Sequence, residues 1–399
     1  MDRTIYKIND LSLDNDELIL NETIFHNANG YIGVRSNFEE GYKDGYDSIR
    51  GSYINGFYDF AEMKQAEKLC GLCEEKQTML NVADPQGIKL KIEGENFSLF
   101  EGEVLESSRW LDMDEGYTAR KVVWNSPSGK KVEILIKRMT SFAQLQLFTI
   151  EYSVKALNFS GSLEFVSTHI GDVKNYCNPN DPRVAGESFQ HLIPVSAEVE
   201  DGVSYIVTNT SKSGLTVCTA VKNVLSKDGE MTSEVSGHQT TTVIKTDIAE
   251  NETVTLVKYT IYSDSIRHED CRADAAAAME RALATPLGEH YASQKAYLKR
   301  FWDQSALDIQ GDDDLAIATK YNIYQLLQSV GKDQYSNIAA KGLSGEGYEG
   351  HYFWDTEMYM QPFFTLTNPE ISKSLVSYRY STLDAARENA RILGHKKGA

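Results

Sequence analysis

Residues 345–364, which read GEGYEGHYFWDTEMYMQPFF, combine side chains that could bind or process a ligand. Seven aromatic residues lie in this run: Tyr348, Tyr352, Phe353, Trp354, Tyr359, Phe363 and Phe364. Gly345, Gly347 and Gly350 permit tight turns and a close approach of a ligand to the backbone. Flat apolar rings with a few fixed polar groups between them are typical of a pocket wall. We therefore predict a ligand-binding wall here.

The polar and aromatic residues at the centre of the run suit a hydroxyl-rich ligand. The flat face of Trp354 can stack on the C–H face of a sugar ring. Asp355 can accept two hydrogen bonds from neighbouring hydroxyls, and charged acceptors form stronger hydrogen bonds than neutral ones. His351 could donate to a further hydroxyl, and Glu357 could extend the polar lining or pair with a cation.

Each of these residues also has a purely structural interpretation. A single tryptophan such as Trp354 is common in cores and interfaces. Asp355 could cap the helix that follows it, and Glu357 could be a first-turn or salt-bridge residue. His351 could be a satisfied structural group. Their adjacency in a glycine-rich loop favours a ligand wall, but their spacing alone does not identify a sugar.

Bulk properties exclude several classes of protein. The 399 residues carry a formal net charge of −18, which disfavours partners with phosphate backbones and anionic lipid surfaces. The N-terminus lacks the pattern of a signal peptide, and no apolar run is long enough to span a bilayer. Five cysteines in a chain of this length do not form an evident disulfide framework. We therefore expect a cytoplasmic protein that binds neither nucleic acid nor membrane.

Cys70 and Cys73 form a single C-x-x-C pair in KLCGLCEEK. A structural zinc site needs four ligands, and the sequence has no second pair of suitable spacing. A metal or redox role is the alternative, but two reduced thiols are the preferred interpretation. No metal site is predicted.

Residues 1–265 have the patterns of β structure. In GIKLKIEGENFSLFEG, alternation of Ile88, Leu90 and Ile92, a turn at Gly94 and further apolar alternation predict a hairpin. Two later strands are predicted on either side of the turn-like pair at 250–251. Many short strands at close spacing favour a large antiparallel β-sandwich.

Helical patterns begin near residue 266. An alanine-rich helix that ends at Pro286 and a second helix form a predicted linker over 266–307. A third segment, 308–399, contains further amphipathic helices. Asn368 and Pro369 predict an N-cap and a first helical residue, and Gly394 predicts a C-cap.

Several stretches resemble glycoside hydrolase family 65, the family of α-glucosyl disaccharide phosphorylases that includes maltose, trehalose, kojibiose and nigerose phosphorylases. KGLSGEGYEGHYFWDTEMYMQPFF is similar to the signature of that family. NANGYIGVRSNFEEG (27–41) and GSYINGFYD (51–59) resemble the start of the family's N-terminal sandwich. The stretch 301–329 resembles its linker and first barrel helix, and the stretch 377–394 resembles the helices after the signature.

The resemblance implies a fold of three parts: a β-sandwich (1–265), a helical linker (266–307) and the first helices of an (α/α)6 barrel (308–399). It implies inverting phosphorolysis of an α-glucoside to β-glucose 1-phosphate, with inorganic phosphate as co-substrate and no other cofactor. A homodimer is implied for the full-length protein.

The resemblance also assigns residues of the wall. Trp354 and Asp355 match residues that hold the non-reducing glucose, Phe353 belongs to the same wall, and Tyr348 and His351 lie where they could influence the acceptor. The general acid, a glutamate, and the phosphate site are expected beyond Ala399, so no catalytic residue is assigned and the chain alone is predicted inactive. A family hydrolase that uses water and a non-catalytic carbohydrate-binding or assembly protein remain the alternatives.

Overall fold

A computed structural model describes residues 3–62, 75–181, 183–185 and 189–396. The described residues form eighteen strands: β1 (Ile5–Ile8), β2 (Asn27–Ala28), β3 (Ile32–Val34), β4 (Ser52–Glu62), β5 (Glu75–Asn81), β6 (Ile88–Ile92), β7 (Glu95–Asn96), β8 (Glu103–Asp112), β9 (Tyr117–Asn125), β10 (Lys131–Thr140), β11 (Leu147–Ala156), β12 (Gly161–Ile170), β13 (Leu192–Glu200), β14 (Val203–Thr210), β15 (Thr216–Leu225), β16 (Glu230–Ser236), β17 (Gln239–Ile248) and β18 (Thr253–Asp264).

The strands pair into three antiparallel sheets. The largest has nine strands in the order β1-β8-β9-β10-β11-β18-β15-β14-β13. A second sheet has the order β16-β17-β12-β6-β7, and a third has the order β2-β3-β4-β5. The prediction of antiparallel sheet structure is therefore confirmed for the described part of the chain.

The nine-stranded and five-stranded sheets face each other across a shared core. On β10 the apolar residues Val132, Ile134 and Ile136 alternate with partly exposed ones and are buried, as a half-covered strand requires. Across the layers, the ring of Tyr152 on β11 meets that of Phe165 on β12 edge-on at 5.8 Å. The two sheets therefore pack as a sandwich.

The turns predicted at Gly94 and at residues 250–251 both occur, but they connect strands in different ways. β6 and β7 form the predicted hairpin, with Glu93 and Gly94 at φ +50° and +82°, although β7 has only two residues. The turn near Asn251 joins β17 to β18 as expected, but these strands belong to different sheets. That turn therefore carries the chain from one layer to the other.

Seven α-helices lie in the described residues: α1 (Asn15–Ile24), α2 (Cys271–Ala284), α3 (Leu287–Ser305), α4 (Asp313–Ser329), α5 (Gln361–Thr367), α6 (Pro369–Ser381) and α7 (Leu383–Ile392). As predicted, the alanine-rich helix α2 ends just before Pro286. Helices α3 to α6 share one apolar cluster with the sandwich, in which Leu327 of α4 and Phe364 of α5 are fully buried. The division at 265 and 307 remains a prediction.

The ends of the last two helices test the predicted caps. Helix α6 begins at Pro369, and Asn368 precedes it, but the Asn368 side chain forms no capping hydrogen bond. The predicted N-cap position is therefore confirmed, but the Asn368 Nδ2 donates to Ser305 Oγ at 2.9 Å and ties α6 to the end of α3 instead of capping the helix. Gly394 follows α7 at φ +78°, the conformation expected of a C-terminal glycine. None of the described helices is long and apolar enough to cross a membrane.

Candidate functional site

The segment between α4 and α5 carries the predicted ligand wall and lies against the sheet formed by β2 to β5. Asn55 of β4 is fully buried at this contact. Its Nδ2 donates to the carbonyl oxygens of Asn337 at 2.9 Å and Gly30 at 3.0 Å, and its Oδ1 accepts from the Tyr352 hydroxyl at 2.6 Å. One amide therefore fixes three chain segments, which gives the wall a rigid base.

Residues 349–351 are held by the adjacent strands β4 and β5 of the same sheet. The Tyr58 hydroxyl donates to the Gly350 carbonyl at 2.6 Å. Lys76 forms an ion pair with Glu349. His351 Nε2 lies 2.6 Å from the Gln77 carbonyl oxygen and donates to it, since a carbonyl can only accept. The His351 ring is thus engaged structurally at Nε2.

The backbone at the start of the wall adopts an unusual conformation. Tyr348 (φ 56°, ψ 27°) and Glu349 (φ 55°, ψ 22°) are both left-handed, although neither is glycine. Each such residue costs about 1–2 kcal/mol. Of the three glycines expected to supply the turns, Gly350 is left-handed at φ +75°, whereas Gly345 and Gly347 are not among the positive-φ residues.

Four aromatic side chains of the wall are exposed, those of Tyr348, Phe353, Trp354 and Tyr359, whereas Phe364 is fully buried. The exposed fractions are 46% for Tyr348, 41% for Phe353 and 65% for Trp354, so Trp354 is not a core residue. The Tyr348 and Phe353 rings meet edge-on with centroids 5.9 Å apart, and His351 lies 6.5 Å from Phe353. On the other side, the Tyr359 ring lies 6.3 Å from Trp354. Exposed rings that lie close to one another in this way are candidates for an interaction surface.

Asp355 belongs to this wall, and its carboxylate is exposed. It precedes a single π-helical turn, Thr356–Met360, and its side chain forms no capping hydrogen bond. Among the described residues, no donor bonds its exposed carboxylate. The capping interpretation is therefore wrong, and both oxygens remain available to a ligand. Isolated π turns occur frequently at functional sites.

Glu357, in contrast, is a salt-bridge residue. Its carboxylate accepts two hydrogen bonds from Arg379 of α6, at 2.7 and 3.0 Å, and one from Asn337 Nδ2 at 3.3 Å. Partial burial opposes ionisation, but these hydrogen bonds outweigh it and hold the pKa of Glu357 below its ordinary value. The cation-pairing interpretation is confirmed, and Glu357 anchors the π turn to α6.

Glu346 is a buried carboxyl group that the sequence patterns did not single out. It is 6% exposed, and Tyr53 Oη donates to its Oε1 at 3.2 Å. Its Oε2 has no hydrogen-bond partner among the described residues. Burial raises the pKa of Glu346 to about 8, against smaller opposing effects of hydrogen bonds and of Arg35. Its place in the glycine-rich run was the available signal.

Two cavities of the described residues lie away from the wall. A cavity of about 450 Å³ is lined by residues of 40–43 and 89–101 together with Val166, and one of about 330 Å³ is lined by residues that include Arg50 and Asp84. Neither contains a residue of the wall. No cluster of three metal-ligating side chains occurs among the described residues, and Cys70 and Cys73 lie outside them. The arrangement can bind a ligand on one face, and its described residues offer no assembled pair of catalytic carboxylates.

The β-sandwich is followed by helices, and the segment between α4 and α5 presents exposed rings and an exposed carboxylate, which suit a hydroxyl-rich ligand. Residues 8–301 match the family model "Glycosyl hydrolase family 65, N-terminal domain", and residues 320–399 match the central catalytic domain of the same family. The chain belongs to glycosyl hydrolase family 65. The resemblance found in the sequence is thereby confirmed.

Relatives within the family include enzymes of known activity. The chain is 45% identical to the α,α-trehalose phosphorylase of Geobacillus stearothermophilus over 98% of this chain and 51% of that protein. It is 31% identical to the kojibiose phosphorylase of Halothermothrix orenii over 94% of this chain and 47% of that protein. The chain therefore spans about half the length of the curated relatives it matches.

A solved structure shares the fold. The "putative kojibiose phosphorylase from human microbiome" superposes with a TM-score of 0.87 at 21% identity, over 98% of this chain and 50% of that one. At this identity the similarity supports the fold alone. The sheets and helices described above therefore recur together in a known architecture.

Proposed function

We propose that this chain forms the N-terminal half of an inverting α-glucosyl disaccharide phosphorylase. The observation that carries the proposal is the exposed Trp354 beside the unengaged carboxylate of Asp355. Membership of family 65 and 45% identity to a trehalose phosphorylase support the reaction class. The substrate would be an α-glucosyl disaccharide, with inorganic phosphate as co-substrate and no other cofactor.

The proposed binding mode follows from the wall. The Trp354 ring covers the apolar face of the non-reducing glucose, and Asp355 accepts hydrogen bonds from two of its hydroxyls. Phe353 extends the apolar surface. Tyr348 lies at the end of the wall and contacts the acceptor sugar, while His351 keeps the turn in place through Gln77.

The proposed chemistry needs one protein acid. Inversion requires protonation of the leaving oxygen while a nucleophile approaches the opposite face of the sugar ring. Phosphate is that nucleophile, so its oxygen bonds to C1, the glycosidic C–O bond breaks, and the acid's proton goes to the released sugar. We expect the acid, a glutamate, and the phosphate-binding residues in sequence that follows residue 399 in a longer protein. The chain of 399 residues alone would then be inactive.

The remaining features are part of the same proposal. Helices α4 to α7 would be the first helices of an (α/α)6 barrel, and the full-length enzyme would be a cytoplasmic homodimer. Twofold homodimers are the commonest soluble oligomers, in agreement with that expectation.

The test uses the full-length parent enzyme. It is incubated with trehalose or kojibiose, with and without inorganic phosphate, and the sugar phosphate and its anomeric form are measured by NMR. Phosphate-dependent release of β-glucose 1-phosphate is expected, whereas phosphate-independent release of glucose would identify a hydrolase. W354A and D355N should each lower kcat/KM at least tenfold. Turnover by residues 1–399 alone would contradict the proposed position of the general acid.

A further inference from the structure

The left-handed pair Tyr348 and Glu349 determines how the aromatic wall is presented. It lies immediately before the turn that leads to Phe353 and Trp354. In this conformation the Tyr348 ring meets Phe353 edge-on, with the ring planes at 85°. Two adjacent non-glycine residues adopt it only where surrounding contacts enforce it, and such strain is concentrated at ligand sites.

The contacts that enforce the conformation come from distant parts of the chain. Lys76 of β5 pairs with Glu349, and Tyr58 of β4 donates to the Gly350 carbonyl. The Tyr348 backbone N–H donates to the Arg183 carbonyl at 2.5 Å. The two side-chain contacts thus fix Glu349 and the residue that follows it from the same pair of strands.

The environment of the ion pair favours a positional role. The side chains of Lys76 and Glu349 are only 27% and 12% exposed, so water and salt screen the pair less than a surface pair. The Tyr58 ring also packs edge-on against Tyr352 at 5.8 Å, next to the wall. Strands β4 and β5 therefore hold the backbone of the wall at residues 349–350 through these side chains.

We propose that Lys76 and Tyr58 are positioning residues of the sugar site: from strands β5 and β4, they hold the strained turn at 348–350 so that Tyr348, Phe353 and Trp354 form one binding face. This inference rests on the proposed function, because it takes the wall as the sugar site. Lys76 acts through Glu349, and Tyr58 acts through the Gly350 carbonyl. Their effect should therefore appear mainly in substrate binding rather than in the chemical step.

A purely structural role makes a different prediction. If Lys76 only docks the loop onto the sandwich, no backbone change at residue 349 can replace it. If Lys76 offsets the strain at Glu349, glycine at that position removes the need for it, because glycine enters the left-handed region without a Cβ clash. The variant pair K76M and K76M/E349G separates the two roles.

The experiment measures KM and kcat of the full-length enzyme with the best disaccharide substrate and phosphate. K76M should raise KM for the disaccharide about tenfold and change kcat less than about threefold, since a displaced wall loses binding contacts. Y58F should act in the same direction but more weakly. K76R should keep KM within about twofold of the wild type, and K76M/E349G should recover most of the loss.

The matched control is K121M, which removes the Lys121–Glu133 pair at 2.8 Å on the sandwich surface with the same change of charge. It should leave KM unchanged. Hydrogen exchange of residues 346–351 provides a readout that needs no sugar. Residues 346–351 should exchange faster in K76M than in the wild type. They should exchange at the wild-type rate in K121M, and in K76M/E349G they should exchange no faster than in K76M.

The proposed function and the positioning role are overturned by different results. A wild-type enzyme that neither binds nor cleaves α-glucosides would overturn the proposed function. An active wild type with an unchanged KM in K76M, or a K76M defect that E349G leaves untouched, would overturn the positioning role. Faster exchange in K76M without any change in KM would likewise show that the turn does not serve the binding face.

Discussion

Tyr53 Oη donates a hydrogen bond of 3.2 Å to Glu346 Oε1 and joins β4 to the loop of the wall across 293 residues of sequence. The tyrosine is fully buried and the glutamate nearly so. Because burial raises the pKa of Glu346 to about 8, the carboxyl group is protonated at neutral pH. A neutral acid avoids the cost of a buried charge, which makes this contact sensitive to pH.

The pH dependence has a definite sign. The pKa of Glu346 is about 8 in the folded protein and near the ordinary value of 4.5 in the unfolded one. Unfolding therefore releases a proton between these values, and the contribution to the free energy of unfolding is complete below pH 4.5 and lost as pH rises to 8. E346Q removes the dependence. The free energy of unfolding of E346Q minus that of the wild type should therefore rise by a few kcal/mol between pH 5 and pH 8.

Urea denaturation of both proteins at pH 5, 6.5 and 8 checks this expectation. E133Q is a suitable control, because Glu133 is one-third exposed and belongs to a surface ion pair. Its difference from wild type should be nearly the same at each pH. Parallel curves for E346Q and wild type would mean that Glu346 is already ionised in the folded protein.

Elements with local patterns were predictable from the sequence. The alanine-rich pattern predicted α2, and alternation around Gly94 predicted the β6–β7 hairpin, because both depend on neighbouring residues. The same local logic placed the N-cap correctly at Asn368, but it did not predict that the amide bonds Ser305 rather than the helix. A competing tertiary partner decides such a cap, and the local sequence does not contain it.

Only the exposed residues of the candidate site were predictable from the sequence. Trp354 and Asp355 are next to each other in sequence, so their chemistry could be recognised. The ion pair that supports the turn could not be predicted, because Lys76 and Glu349 are separated by 273 residues. Glu346 was overlooked because a carboxylate in a glycine-rich run is usually solvated, whereas here the sandwich covers it.

Buried ion pairs in the sandwich should be far more costly to break than exposed ones. Arg120 lies 2.7 Å from Glu39 and 2.5 Å from Glu40, and all three side chains are at most 5% exposed. R120M would leave two carboxylates buried with fewer partners, so we expect a loss of about 3–5 kcal/mol. K121M breaks a pair that is more than one-third exposed and should cost less than about 1 kcal/mol.

Chemical denaturation of the two variants at pH 7 compares them directly. Because Arg120 and Lys121 are neighbours on β9 and both changes remove one positive charge, the difference isolates burial. Equal losses would show that the Arg120 network is open to solvent. A variant R120M that fails to accumulate while K121M is normal agrees with the large expected loss.

Gly30 marks a close approach between the sandwich and the segment that follows α4. Its φ is +88°, and a Cβ there would lie 2.0 Å from the Val330 carbonyl oxygen. Gly41 has nearly the same φ of +90°, but a Cβ at Gly41 would have no atom within 4 Å. G41A should therefore cost about 1–2 kcal/mol from conformation alone, whereas G30A adds a backbone clash and should cost more than about 3 kcal/mol.

Thermal and urea unfolding of G30A and G41A measure this difference. The contrast depends on the contact with Val330, because the backbone conformation is matched. Losses of the same size would mean that the segment after α4 can move away from the sandwich without penalty.

W354A should mainly weaken binding of the disaccharide, whereas W124A should mainly lower the stability of the fold. Trp354 is 65% exposed, so W354A should change the free energy of unfolding by less than about 0.5 kcal/mol. It should weaken binding of the disaccharide by roughly 1.5–3 kcal/mol, the usual value of a covered aromatic side chain. Trp124 is fully buried, packs edge-on against Phe97 at 5.4 Å, and donates to the Glu101 carbonyl at 2.7 Å. W124A should cost about 3–5 kcal/mol of stability.

Calorimetric titration with the disaccharide and urea denaturation, both on the full-length enzyme, provide the two readouts. Because the substitutions are chemically identical, the size of the deleted side chain cancels from the comparison. The proposal that Trp354 belongs to the binding face is wrong if W354A binds the disaccharide as tightly as the wild type. A large loss of stability in W354A would instead show that the indole is buried in the full-length protein. Comparison with the loss in W124A, whose indole is fully buried, would then show how completely.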